Sequence, residues 1–248
     1  MNVLPIHAVV RTDKGRVREI NEDSISVLEQ HGLVVLADGM GGYNAGEVAS
    51  SLAVETITTT LLPFYAENNA VPSAIIGSAV EAANESILSS MLAEPEYEGM
   101  ATTVVVALFG ENRVHYGHVG DSRLYRLRNN CLEQLTRDHS MIQALVDEGM
   151  FDSLQEALDA GVKSNVLTRG LGIQELIEVD VGVSDVVPGD IFLLCSDGLS
   201  NMVSHQDMLD ILTGADGNME HAAQRLLDTA LHNGGLDNIS LVLVCPQH

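Results

Sequence analysis

The chain has 248 residues, a mass of 26.5 kDa and a formal net charge of −23, from 35 acidic residues against 12 Lys and Arg. Such a polyanion repels nucleic acid and anionic lipid, so neither is expected as a partner; the length suits one large domain, and a composition 46% apolar without Trp calls for an aliphatic core. Cys131, Cys195 and Cys245 form no zinc-binding pattern and fit a reducing compartment, and with no signal-like start and no apolar run of roughly 18 residues a soluble cytoplasmic protein is expected.

Apolar strand-like runs predict strands at Ile6 to Arg11, Ser24 to Leu28 and Leu33 to Ala37, followed by the glycine cluster Gly39 to Gly42. Helical periodicity runs from Gly46 to Leu62, where Pro63 stops it, and again from Pro72 to Leu92, which predicts a helical hairpin. Thr102 to Phe109, Arg113 to Val119, Arg123 to Arg128 and Cys131 to Leu135 read as an antiparallel meander with turns at Gly110-Glu-Asn and Asn129-Asn130. Ser140 to Ala160 returns to helical spacing. Strands at Glu175 to Val183, Asp190 to Ser196 and Asn238 to Val244, with helices at Gln206 to Leu212 and Glu220 to His232, complete the chain. This order lacks steady βαβα alternation and predicts an α+β fold, a sandwich of two antiparallel sheets flanked by helix pairs. No linker or repeat divides the chain, so residues 1–248 read as a single domain with a flap at about 141–165.

In VVLADGMGG, Asp38 ends a buried strand just before glycines that permit a tight turn and leave a backbone carbonyl accessible. An isolated Asp-Gly more often serves a turn or a cap. The construction recurs, however, at Asp197 in IFLLCSDGLS and at Asp121 in GHVGDSR, and Asp237 precedes a buried strand in GGLDNISLVLV. Antiparallel neighbours bring strand starts and ends to one edge, and carboxylates gathered there repel one another unless cations sit among them. An all-oxygen ligand set favours Mg²⁺ or Mn²⁺. Two such ions acidify a bridging water and hold a phosphate for in-line attack, with no protein nucleophile. Arg18, in VREINED just before Glu22 and Asp23, offers the forked donors a phosphate needs, although an isolated surface Arg more often serves a local ion pair. Cys195 is followed by no arginine-rich phosphate loop and reads as a packing thiol.

RVREINEDS, VVLADGMGG with AGEVAS, GMATTVVVAL, HVGDSRLYRL, LTRDHS, NVLTRGLG, DIFLLCSDGL and DNISLVLV follow one another along the chain. Together, and in this order, they resemble the metal-dependent protein phosphatases of the PPM/PP2C family in their short bacterial form, over nearly the whole length. The resemblance implies an αββα sandwich with a metal centre at one rim. Asp38 would bridge two metals, the Gly39 carbonyl would join the second, and Asp197 and Asp237 would complete the direct ligands of the first. Glu22 and Asp23 match acids that reach the metals directly or through water. Asp121, with Asp197, resembles the holder of a third, weaker metal. Arg18 matches the phosphate-binding arginine, so Arg18 and Asp38 are the expected catalytic residues. Thr102 and Thr103 are expected to pack near the cleft, and residues 141–165 correspond to the flap that shapes access.

Met40 stands where animal members carry a histidine proposed as general acid, which leaves a metal-bound water, or His139, to protonate the leaving alkoxide. The implied activity is hydrolysis of phosphoserine and phosphothreonine by metal-activated water at a Mn²⁺ or Mg²⁺ centre. The implied partners are phosphorylated proteins and a bacterial Ser/Thr kinase that the enzyme opposes, and the implied state is a monomer. The alternatives are a metal-dependent phosphatase of small phosphate esters and a catalytically dead phosphoprotein-binding module; the intact set Asp38, Asp197 and Asp237 speaks against the second.

Overall fold

Strands with two apolar faces dictate the architecture, because each must be covered on both sides. In the computed structural model, which describes residues 3–41, 45–65, 72–110, 112–163 and 165–247, the chain begins β1 (Ile6–Asp13), β2 (Asp23–Leu28), β3 (Leu33–Met40), α1 (Gly46–Leu61) and α2 (Pro72–Ala93). It continues β4 (Ala101–Thr102), β5 (Val104–Phe109), β6 (Arg113–Val119), β7 (Arg123–Arg128), β8 (Cys131–Gln134), α3 (Met141–Asp147) and α4 (Leu154–Asp159). It ends β9 (Asp180–Asp185), β10 (Ile191–Cys195), α5 (Asp197–Ser200), α6 (His205–Thr213), α7 (Met219–His232) and β11 (Ile239–Pro246). Gly42 of the expected glycine cluster, Glu111 of an expected turn and Ser164 of the expected flap lie outside the described residues.

Two antiparallel sheets result, one ordered β1-β11-β10-β7-β8 and the other β2-β3-β5-β6-β9, with β4 paired to β3. Alternation along the central strands sorts their side chains into layers. Val34, Leu36, Val105 and Phe109 meet Phe192, Leu194 and Val242 between the sheets, where the Phe109 and Phe192 rings pack edge to face at 5.1 Å. The opposite faces, Leu33 and Val35 on one sheet and Leu193 and Leu241 on the other, are covered by α1 with α2 and by α6 with α7 respectively. The αββα sandwich expected from the sequence is the observed fold. Among the described residues no helix is long and apolar enough to cross a membrane.

Three departures from the sequence reading have a physical cause in the backbone. The helical stretch from Ser140 to Ala160 is broken into α3 and α4, because Gly149 takes φ +73° and Ser153 caps a new start by accepting from the Glu156 N–H. The strand expected from Glu175 begins only at Asp180, which pairs with His118; further pairing would run past β6 to Gly120, where φ of +105° turns the chain away. The run from Thr102 to Phe109 is interrupted at Thr103, so Thr102 joins Ala101 as β4, where they pair with Gly39 and Met40 respectively. The Asn129-Asn130 hairpin has the expected geometry, with φ of 50° and 58° at its two residues.

Candidate metal centre and its cleft

Connections at one rim of the sandwich carry the acids, and several glycines allow their backbones to close together. Asp38 is held in β3 opposite Asp23 of β2, and its backbone is fixed from the other side: its N–H donates to Thr103 Oγ1 at 3.2 Å, while its carbonyl accepts from Thr103 N at 2.9 Å and Thr102 Oγ1 at 2.8 Å. Thr102 and Thr103 are therefore more than packing, since they clamp the peptide of Asp38. Asp197 opens α5 rather than ending β10, and it accepts from Asn201 Nδ2 at 3.1 Å. The corner at Gly198 lies so close to the Asn238 carbonyl that any side chain there would collide with it.

Arg18, Glu22, Asp38, Gly39, Asp121, Asp197 and Asp237 all line one cavity of about 300 Å³, together with Met40 and Thr103 and with Asn165 and Leu167 in the connection after α4. Asp23 stands behind this wall, where its Oδ2 accepts from Ser196 Oγ at 3.0 Å and its Oδ1 is buried without a partner among the described residues. Arg18 donates to Asp237 Oδ2 at 2.8 Å and lies 3.7 Å from Glu22 Oε2.

Burial, reinforced by the charges of Asp23, Asp197, Asp121 and Asp237, holds the Asp38 carboxyl well above the usual carboxylate range. The same causes act on its neighbours. Burial and the charges of Asp197 and Asp237 push Asp23 up to about 6, against hydrogen bonds from Ser240 and Ser196. Burial and Asp237 raise Asp197 to about 6, and burial with Asp197 and Asp138 raises Asp121 to about 7. Burial also raises Glu22, against the attraction of Arg18. Among the described residues no three of these acids place an oxygen each within 4.8 Å of one another, so they ring a space instead of converging on a point. Crowded carboxylates, an unpartnered buried oxygen and, among the described residues, Arg18 as the one cationic side chain lining the cavity fit divalent cations, and oxygen donors suit the hard ions Mn²⁺ and Mg²⁺.

His118, His139 and Asp180 form a second group of ligand-type atoms within 4.8 Å. Here Arg169 donates to Asp180 Oδ1 at 2.7 Å and lies 3.3 Å from His139 Nε2, so a fixed cation already attends the group. His139 Nδ1 accepts from the Gly120 N–H at 3.2 Å, its backbone N–H donates to Gly120 O at 2.9 Å, and its Nε2 faces Asp180 at 3.3 Å. Burial and the stacked ring of His118 hold His139 below the ordinary imidazole range. Both ring nitrogens are thus engaged away from the cleft, and His139 anchors the turn that presents Asp121. The same segment closes the base of the α3–α4 excursion, where Met141 N donates to Val166 O at 2.7 Å and Thr168 N to His139 O at 2.8 Å.

Sequence reasoning missed Asn238 and Ser196. Asn238 Nδ2 donates to Lys14 O at 3.0 Å and Ile20 O at 2.8 Å, and its Oδ1 accepts from Glu22 N at 2.8 Å, which fastens the loop carrying Arg18 and Glu22 beside Asp237. Ser196 Oγ bridges Asp23 and the Ser240 N–H. The available signal was adjacency: each directly precedes or follows an acid of the set. Cys195 packs among the helices outside the sheet, and burial pushes its thiol up to about 12, which makes it inert.

A family model described as "Protein phosphatase 2C" matches residues 14–233. The serine/threonine phosphatase stp of Listeria welshimeri is 38% identical over 247 residues, covering 96% of this chain and 95% of the relative. The crystal structure of the Mycobacterium tuberculosis serine/threonine phosphatase PstP/Ppp superposes with a TM-score of 0.87 at 37% identity, covering 99% of this chain and 100% of the other. A structure of the PstP catalytic domain in complex with two manganese ions gives 0.85 at 37% identity, covering 98% and 99%. Residues, fold and relatives agree: the chain belongs to the protein phosphatase 2C family and is a metal-dependent protein-serine/threonine phosphatase of the bacterial type.

Proposed function

We propose that Asp38, the Gly39 carbonyl, Asp197 and Asp237 hold two divalent cations in the cleft, with Glu22 and Asp23 reaching them directly or through water, and with Asp121 and Asp197 holding a third more weakly. The observation that carries this reading is the ring of acids with raised pKa around a 300 Å³ cavity that Arg18 enters. The manganese named for the PstP catalytic domain supports Mn²⁺ here, and Mg²⁺ meets the same oxygen chemistry. Bound there, the cations would supply Lewis-acid charge for phosphate oxygens and lower the pKa of water.

The chain's own contribution is binding and alignment. Arg18 spends one N–H on Asp237 and keeps others for a phosphate oxygen, which sets the ester against the acids. The threonine clamp on the Asp38 peptide and the pairing of Asp38 with Asp23 keep that carboxylate from swinging. Met40 offers no proton to a leaving alkoxide, and His139 is turned away. The substrates are phosphoserine and phosphothreonine in proteins, the opposing activity is a Ser/Thr kinase, and the enzyme works as a single catalytic domain, monomeric and cytoplasmic, with residues 141–165 as its flap.

Hydrolysis of p-nitrophenyl phosphate with and without Mn²⁺, in wild type and Asp38→Asn, tests the centre; a folded wild type without metal-dependent turnover would overturn the assignment. Phosphopeptides compared with nucleotides test the substrate class, and preference for the nucleotides would replace it with small-ester hydrolysis.

A further inference from the structure

Beside the cleft lies a larger groove of about 570 Å³, and the two share Asp121, Asn165, Asp197 and Asp237, so they form one continuous depression. Its walls come from separate parts of the chain. The flap supplies Ile142, Leu154 and Leu158, and the opposite side supplies Met202 after α5 and Leu236 before β11. Leu154, Leu158 and Leu236 are 37%, 43% and 57% exposed, which leaves a facing pair of aliphatic walls open to solvent.

The charged floor of the groove offers nothing to a ligand. Arg123 forks onto Asp138 through Nε at 2.9 and 3.0 Å and a terminal nitrogen at 2.6 Å, and its remaining nitrogen donates to Tyr125 at 3.0 Å. Asp138 also accepts from Gln134 at 2.9 Å. The acids at the cleft end belong to the metal centre. Besides these engaged charges the lining offers the Ser200 hydroxyl, buried without a partner among the described residues, and an apolar slot formed by the exposed aliphatic side chains of the two segments.

We infer that this slot takes an aliphatic side chain of the substrate polypeptide, one that flanks the phosphorylated residue and follows it out of the cleft. The inference rests on the phosphoprotein reading above, and continuity points to this occupant: a phosphoserine in the cleft must send its chain over one of the cleft's rims, and the groove shares Asp121, Asn165, Asp197 and Asp237 with the cleft and carries exposed aliphatic side chains directly beyond them. Recognition of a protein substrate then has two parts. The cleft takes the phosphate, and the slot adds preference by removing a Leu, Ile or Met side chain from water.

The test is a leucine walked one position at a time through an otherwise Gly/Ser phosphothreonine peptide, with kcat/KM measured in Mn²⁺. One register is expected to exceed the others by about tenfold, the lower end for an aliphatic group entering an apolar pocket. In Leu158→Asp and in Leu154→Ser the advantage of that register should collapse towards one, while Glu148→Gln, exposed on the flap away from the slot, should keep it. Equal rates at every register in the wild type would overturn the inference even if both variants failed to fold. So would an unchanged ratio in the folded Leu158 and Leu154 variants. Failure of the phosphatase reading looks different, because neither the peptides nor p-nitrophenyl phosphate would then be hydrolysed.

Discussion

Arg18 donates to Asp237 Oδ2 at 2.8 Å, so the cation assigned to the phosphate and a carboxylate assigned to the metal are bonded to each other before any substrate arrives. That bond is the main cause that raises the guanidinium pKa above its already high ordinary value, and it also restrains a flexible side chain that is about half exposed. Arg18→Lys keeps the charge but loses the fork. We expect kcat/KM for p-nitrophenyl phosphate to fall by about tenfold or more, with part of the loss as a raised Mn²⁺ requirement, because Asp237 loses its partner. Metal titration of both proteins would separate the two effects.

The acids make stability depend on pH in a direction unusual for carboxylates. Asp23 and Asp197 near 6 and Asp121 near 7 in the folded chain lie above the ordinary 3.8, so between about pH 4 and 7 the folded state binds more protons than the unfolded one. Their contribution is present at low pH and is lost as pH rises through 6 to 7. In EDTA the melting temperature should therefore fall over this window, and Mn²⁺ should restore it at pH 8 much more than at pH 5. Asp38→Asn removes one of the repelling charges, so in EDTA at pH 8 it should melt higher than wild type by about 2–4 °C per kcal/mol gained, while losing metal-dependent turnover.

Asn238 is 3% exposed and satisfies three backbone groups of the loop that carries Arg18 and Glu22. Asn238→Ala leaves the Lys14 and Ile20 carbonyls and the Glu22 N–H without it. A loss of roughly 3 kcal/mol is expected in urea unfolding, together with weaker phosphate binding, because the loop is no longer pinned beside Asp237.

His139→Ala distinguishes anchoring from proton transfer. With both ring nitrogens facing Gly120 and Asp180, the variant should lose rate by a similar factor for aryl and alkyl phosphates. A loss confined to poor leaving groups would reinstate His139 as the general acid.

Much of this was legible in the sequence because its signals are local. Strand-length apolar runs marked the sheets, Pro63 marked the end of α1, and Asn129-Asn130 marked a hairpin turn. The acids stood out only as a set, since each Asp-Gly or Asp-Asn alone reads as a turn. What stayed hidden depends on distant partners. The role of Asn238 appears only when residues more than two hundred positions away fold against it, and the start of β9 is fixed by the turn at Gly120 on its neighbour. The flap read as one helix because periodicity carries straight through Gly149, whose left-handed backbone is what divides it.

Asp38 belongs to one sheet, whereas Asp197 and Asp237 adjoin strands of the other. Cations shared among them would act as removable cross-links between the two halves of the sandwich, and the same ions would serve catalysis and lifetime. Because any ligand bound only by the native state stabilises it by mass action, divalent-metal supply would set how long the folded enzyme persists as well as how fast it turns over. A cell starved of manganese would then lose this phosphatase twice, first in rate and afterwards in amount.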